Sequence, residues 1–137
     1  MSHDQERVRL AAEWARAGGG FMAQPAAYVI DLEQLVGRTA VAAPRDYRAL
    51  AVATTWIAQH SHLVNVRRLG KVARELEDTP AAILGAIIEI AHETNSAVER
   101  LTPVQRQCRP LREPRALFDR TQANPVLLRF AKEGALQ

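Results

Sequence analysis

An all-α fold follows from three features of the 137-residue sequence. Apolar residues recur at the 3.6-residue helical period, and prolines and glycines fall between the periodic stretches rather than inside most of them. No window alternates polar with β-branched residues between hairpin turns, so no sheet is expected. The expected form is a compact multi-helix bundle of about five to seven helices, with a short α-solenoid of stacked helical hairpins as the alternative.

Each element can be justified in order. Ser2, Asp4 and Glu6 open a first helix whose Val8, Leu10, Ala11, Trp14 and Ala15 share a face before Gly18, Gly19 and Gly20 end it. Pro25 suits the first turn of a second segment, because proline lacks only an amide that this turn leaves unbonded; Tyr28, Val29, Leu32, Leu35 and Val36 form its face and Gly37 its stop. After a loop through Val41, Pro44 begins a third helix reaching about His60, lined by Tyr47, Leu50, Ala51, Ala53, Thr54 and Ile57, with Trp56 at the edge.

Asn65 caps the fourth helix, whose Val66, Leu69, Val72, Ala73 and Leu76 make a buried stripe opposite Arg67, Lys71 and Arg74. Thr79 and Pro80 start the fifth, PAAILGAIIEIAHE, which is apolar nearly all round and is therefore expected at the centre. Thr102 and Pro103 open a short helix to about Cys108, Pro110 and Pro114 forbid a long continuation, and a last helix begins at Asn124 and Pro125. One internal echo supports the solenoid alternative: RLAAEWARAG and AVATTWIAQH place Trp14 and Trp56 at the same point of two small-residue helices, 42 residues apart.

Composition bounds the rest. With 47% apolar, 24% charged and 5% aromatic residues the chain reads as one globular domain, 1–137, in which 102–137 form a basic, proline-punctuated C-terminal extension. Residues 1–99 carry 10 basic and 12 acidic side chains, whereas 100–137 carry 8 and 3, so the positive charge sits at the C-terminal end. Of the 18 basic residues 16 are arginine, a planar donor suited to carboxylates and phosphates. A lone cysteine and the lack of a charged-then-apolar leader point to a reduced, cytoplasmic setting. The most apolar stretch is too short to span a bilayer, so no membrane association is expected.

No catalytic, cofactor or metal site is expected. His60 and His62 are a single close pair where a structural zinc needs two, and Glu89 with His92 is one Glu-x-x-His where a di-iron bundle needs two plus further glutamates. Gly18–Gly20 follow a helix and cannot cradle phosphate at a helix start. Cys108, between Arg106 and Arg109, would have a lowered pKa if all three were exposed, yet no histidine lies close in sequence to act as its base.

Binding is better supported. Arg67, Arg68, Lys71 and Arg74 make a basic face on the fourth helix, against the dipole at its start, while Glu75, Glu77 and Asp78 crowd its end; Asp46 or Glu33 of a neighbouring helix are candidate internal partners. A second group, Arg106, Arg109, Arg112 and Arg115, recurs every three residues, which aligns the guanidinium groups in either helical or polyproline form. Phe118, Leu127, Leu128 and Phe130 offer an apolar interface near the C-terminus. A helix-turn-helix reader made of the fourth and fifth helices is rejected, because the fifth presents no side chains for base edges.

The Trp56 helix followed by NVRRLGKVARELED and the apolar LGAIIEIA helix resembles small helical bacterial regulators, including antitoxin-like partners of nucleotidyltransferases. The resemblance implies a regulatory binding role and carries no residue assignments. The expected function is therefore a non-enzymatic interaction module that docks a partner protein or itself. A nucleic-acid-binding regulator using the two arginine groups is the alternative.

Overall fold

A computed structural model describes residues 2–19 and 23–108, and these fold as six α-helices with no strand among them. Helix α1 spans His3–Arg16, α2 Leu32–Ala42, α3 Tyr47–His60, α4 Val66–Glu75, α5 Asp78–Thr94 and α6 Thr102–Gln107. Short 3₁₀ turns, Ser61–Leu63 and Ser96–Leu101, lead into α4 and α6. The expected last helix from Asn124 lies outside the described residues.

Capping chemistry fixes most helix starts. Ser2 and Gln5 form a reciprocal capping box at α1, while Asp31, Asp46 and Asn65 accept from the backbone amides of Gln34, Ala49 and Arg68 to open α2, α3 and α4. Two expected boundaries are corrected by these caps. Helix α2 starts at Leu32 rather than Pro25, leaving Tyr28 and Val29 exposed in the preceding loop, and α3 starts three residues after Pro44. In both cases an aspartate that satisfies an orphan amide outweighs a proline that merely tolerates the first turn. Helix α5 likewise begins two residues before Pro80.

Gly37 is a further correction: it does not stop α2, which runs on through Val41 to Ala42. Its place inside the helix has a packing cause. A Cβ there would lie 2.6 Å from Val72 Cγ1 of α4, so the missing side chain is what lets the two helices meet. Gly37→Ala is expected to cost about 1–2 kcal/mol by overpacking despite alanine's better helix propensity, and Val72→Ala in the same chain to recover part of it. Urea unfolding of the single and double variants measures this; a neutral Gly37→Ala would show that α2 and α4 part freely.

Helix α5 is central, as its composition predicts. Ile83, Leu84, Ile87, Ile88 and Ala91 are buried against α2, α3, α6 and the second 3₁₀ turn. Trp14 of α1 and Trp56 of α3 do meet, with ring centroids 5.8 Å apart, but their helices do not begin two equivalent hairpins. Helix α3 packs chiefly on α5, and α4 packs on α2 and α6 instead of folding back on α3. This arrangement gives a compact bundle and overturns the solenoid alternative, since each helix covers neighbours distant in sequence.

Candidate functional site

Two close approaches turn α4 outward. On one flank Gly37 admits Val72; on the other Gly70 packs against the Gln107 side chain of α6, 3.2 Å from where a Cβ would stand. The flanks are thereby occupied and the ridge between them carries Arg67, Lys71 and Arg74, all exposed. Arg74 donates to Gln107 Oε1 at 3.4 Å; among the described residues neither Arg67 nor Lys71 has a hydrogen-bonding or ionic partner.

Arg68, the fourth member of the expected basic face, is committed internally. Its guanidinium lies 2.6 Å from Asp31 and 3.2 Å from Glu33, whose other oxygen accepts from the Asn65 amide at 3.2 Å. Glu33 is thus the internal partner that the sequence offered, whereas Asp46 serves as the α3 cap. One residue along a helix turns the side chain about 100°, which separates Arg68 from the Arg67 ridge.

The acidic residues beyond the ridge belong partly to the next helix. Glu75 ends α4, but Glu77 is the N-cap residue of α5 and Asp78 stands in its first turn, where a carboxylate favours the dipole. The dipole opposition expected at the end of α4 is correspondingly smaller. All three carboxylates are exposed.

Arg106 is exposed on α6, whose end packs on α4, so the first member of the second arginine group lies on a helix flanking the basic ridge. Arg109, Arg112 and Arg115, and the apolar candidates Phe118, Leu127, Leu128 and Phe130, lie outside the described residues.

A polar cluster that the sequence reading missed joins α1, the loop before α2, and α2 itself. Glu13, 2% exposed, receives Arg9 Nε at 2.9 Å, Tyr28 Oη at 3.2 Å and both terminal nitrogens of Arg38 at 3.0 and 2.5 Å. Burial by itself pushes a carboxyl pKa up, but the hydrogen bonds and charge of Arg38, with those of Arg9 and Tyr28, more than offset it and hold Glu13 below the ordinary carboxylate range. Only the i,i+4 spacing of Arg9 and Glu13 was a signal in the sequence.

The remaining titratable candidates have structural surroundings. Cys108 is buried against Gly85 and its thiol donates to the Val104 carbonyl at 3.4 Å; burial pushes its pKa up, and the exposure on which a lowered value depended is not met. His60 lies against Trp56 in a tilted pair with centroids 5.3 Å apart, and His62 lies 6.2 Å from His60. No group of three or more His, Cys, Asp or Glu among the described residues could hold a metal ion. A cleft of about 20 Å³ between α1 and the start of α3, lined by His3, Glu6, Arg7, Leu10, Ala42, Arg45 and Asp46, has room for about one water. Asp46 is one of its lining residues, and its buried Oδ2 has no hydrogen-bond partner among the described residues.

No protein-family model matches the chain, and neither the curated proteins nor the solved structures contain a significant match to it. No helix among the described residues is long and apolar enough to cross a membrane.

Proposed function

We propose that the protein is a non-enzymatic helical interaction module whose α4 ridge docks a partner protein in a regulatory complex. The observation that carries this reading is the ridge itself: Arg67, Lys71 and Arg74 stand exposed beside Glu75, Glu77 and Asp78, and among the described residues Arg67 and Lys71 have no ionic partner. Residues 109–137 carry six basic and three acidic side chains. The surroundings of Glu13 and Cys108 support binding over catalysis, since Glu13 accepts four hydrogen bonds from three side chains and the Cys108 thiol is buried.

Nucleic acid is the second reading, favoured by Arg106 lying on the helix that flanks the ridge. The acidic residues at the end of α4 work against it, because a phosphate backbone running along the ridge would meet them. Affinity purification of the native and Arg67→Glu/Lys71→Glu chains, each with and without nuclease, separates the two. A stoichiometric protein retained after nuclease and lost from the variant is expected. Retained nucleic acid, with binding that collapses between about 50 and 200 mM salt, would establish the second reading instead.

A further inference from the structure

Resting on that docking reading, we infer that the occupant of the α4 ridge is an acidic α-helical segment of the partner, its carboxylates repeated along one face. The ridge is a straight row. Arg67, Lys71 and Arg74 stand at i, i+4 and i+7, about 6 and then about 4.5 Å apart along the helix axis. A second helix with glutamates at the same intervals reproduces those spacings, because the same 1.5 Å rise generates both rows. An extended peptide presents side chains on one face every 6.6–6.8 Å or so and runs out of register over three positions.

The flanks of α4 support a helix lying along the ridge. Gly37 and Gly70 bring α2 and α6 close on either side, so α4 is held as one wall of the bundle rather than as a loop that reshapes around a ligand. Arg68 is excluded from the contact by its bonds to Asp31 and Glu33. Charge order gives direction: Glu75, Glu77 and Asp78 at one end call for basic residues following the partner's acidic row. Set parallel to α4, a partner helix with glutamates at i, i+4 and i+7 meets the three cations in the same order, and basic residues after that row meet Glu75, Glu77 and Asp78.

The test uses the full chain and three fluorescent probes in anisotropy titrations at 50 mM salt. One is a lactam-bridged helical peptide with glutamates at i, i+4 and i+7; the second has the same composition with glutamates spread around the helix; the third is a 20-base-pair DNA duplex. The row peptide is expected to bind about ten-fold more tightly than the spread peptide, and Lys71→Glu to remove that difference with the thermal midpoint unchanged. Equal affinity for the two peptides overturns the helical-row inference, as does tighter binding of the duplex. If the peptides bind alike while Arg67→Glu/Lys71→Glu still releases a nuclease-resistant partner, the docking reading survives and the row alone fails.

Discussion

Trp14→Ala is expected to remove about 3–5 kcal/mol of folding stability, measured by urea unfolding followed by circular dichroism. The side chain is fully buried and joins three helices. Its indole packs at a 56° tilt on Trp56 of α3, and its Nε1 donates to Thr39 Oγ1 of α2 at 2.9 Å. The Thr39 hydroxyl in turn donates to the Leu35 carbonyl at 2.8 Å, so its acceptor role is filled by the indole alone. Truncation thus combines a large cavity with a buried hydroxyl lone pair that loses its donor. Should the alanine chain fail to fold, Trp14→Phe keeps an aromatic ring, though a smaller one, and removes the N–H, with an expected loss of about 2 kcal/mol. A loss below 1 kcal/mol for the alanine variant would mean that α1 is not anchored through this ring.

That anchor shows what the sequence could and could not reveal. Trp14 is legible as a core residue because it shares the helical period with Leu10, and the capping residues Ser2 and Asn65 mark two helix starts correctly. Local chemistry suffices there, since a cap acts within three residues. The direction of the indole N–H depends on Thr39, 25 residues away, and no periodicity carries that information. Gly37 illustrates the reverse case. Local rules read a glycine as a helix end, but the contact with Val72 is tertiary and keeps the glycine in the middle of α2.

The basic ridge was legible as a row and illegible as a site. Period alone groups Arg67, Lys71 and Arg74, but it cannot say that Arg68 folds away to Asp31 and Glu33. Nor can it say that α6 lies alongside, because short helices separated by an entire apolar helix meet only once α5 is buried between their neighbours. All four basic side chains are exposed, but Arg68 is ion-paired to Asp31 and Glu33, which leaves a row of three and lowers the charge available to any polyanion while sharpening its geometry. Salt dependence becomes informative for that reason: three ridge cations predict a shallower slope than the full arginine complement would give.

The Glu13 cluster should make stability depend on pH in a definite direction. The Glu13 pKa lies below its ordinary value in the folded chain, so the unfolded chain binds this proton more readily. The contribution of the ionised carboxylate is then fully present above the unfolded value of about 4.3 and is lost as pH falls through the lower folded value. Glu13→Gln removes the charge that Arg38 and Arg9 face and sets an amide N–H against guanidinium donors, at an expected cost of about 2–3 kcal/mol near pH 7. The arginines are only partly buried, with 25% and 43% of their side chains exposed, and water can recover some of what they lose. Urea unfolding of both chains at pH 7, 5 and 3 supplies the check. Their difference should stay constant between pH 7 and 5 and narrow at pH 3, because only the native chain has a proton to take up at this site. A difference that widens on acidification would place Glu13 among protonated carboxyls and contradict the ion-paired geometry. Tyr28→Phe separates the hydroxyl from the charges: it deletes one neutral donor, leaves both arginines in place, and should lower stability by about 1 kcal/mol with the pH dependence retained.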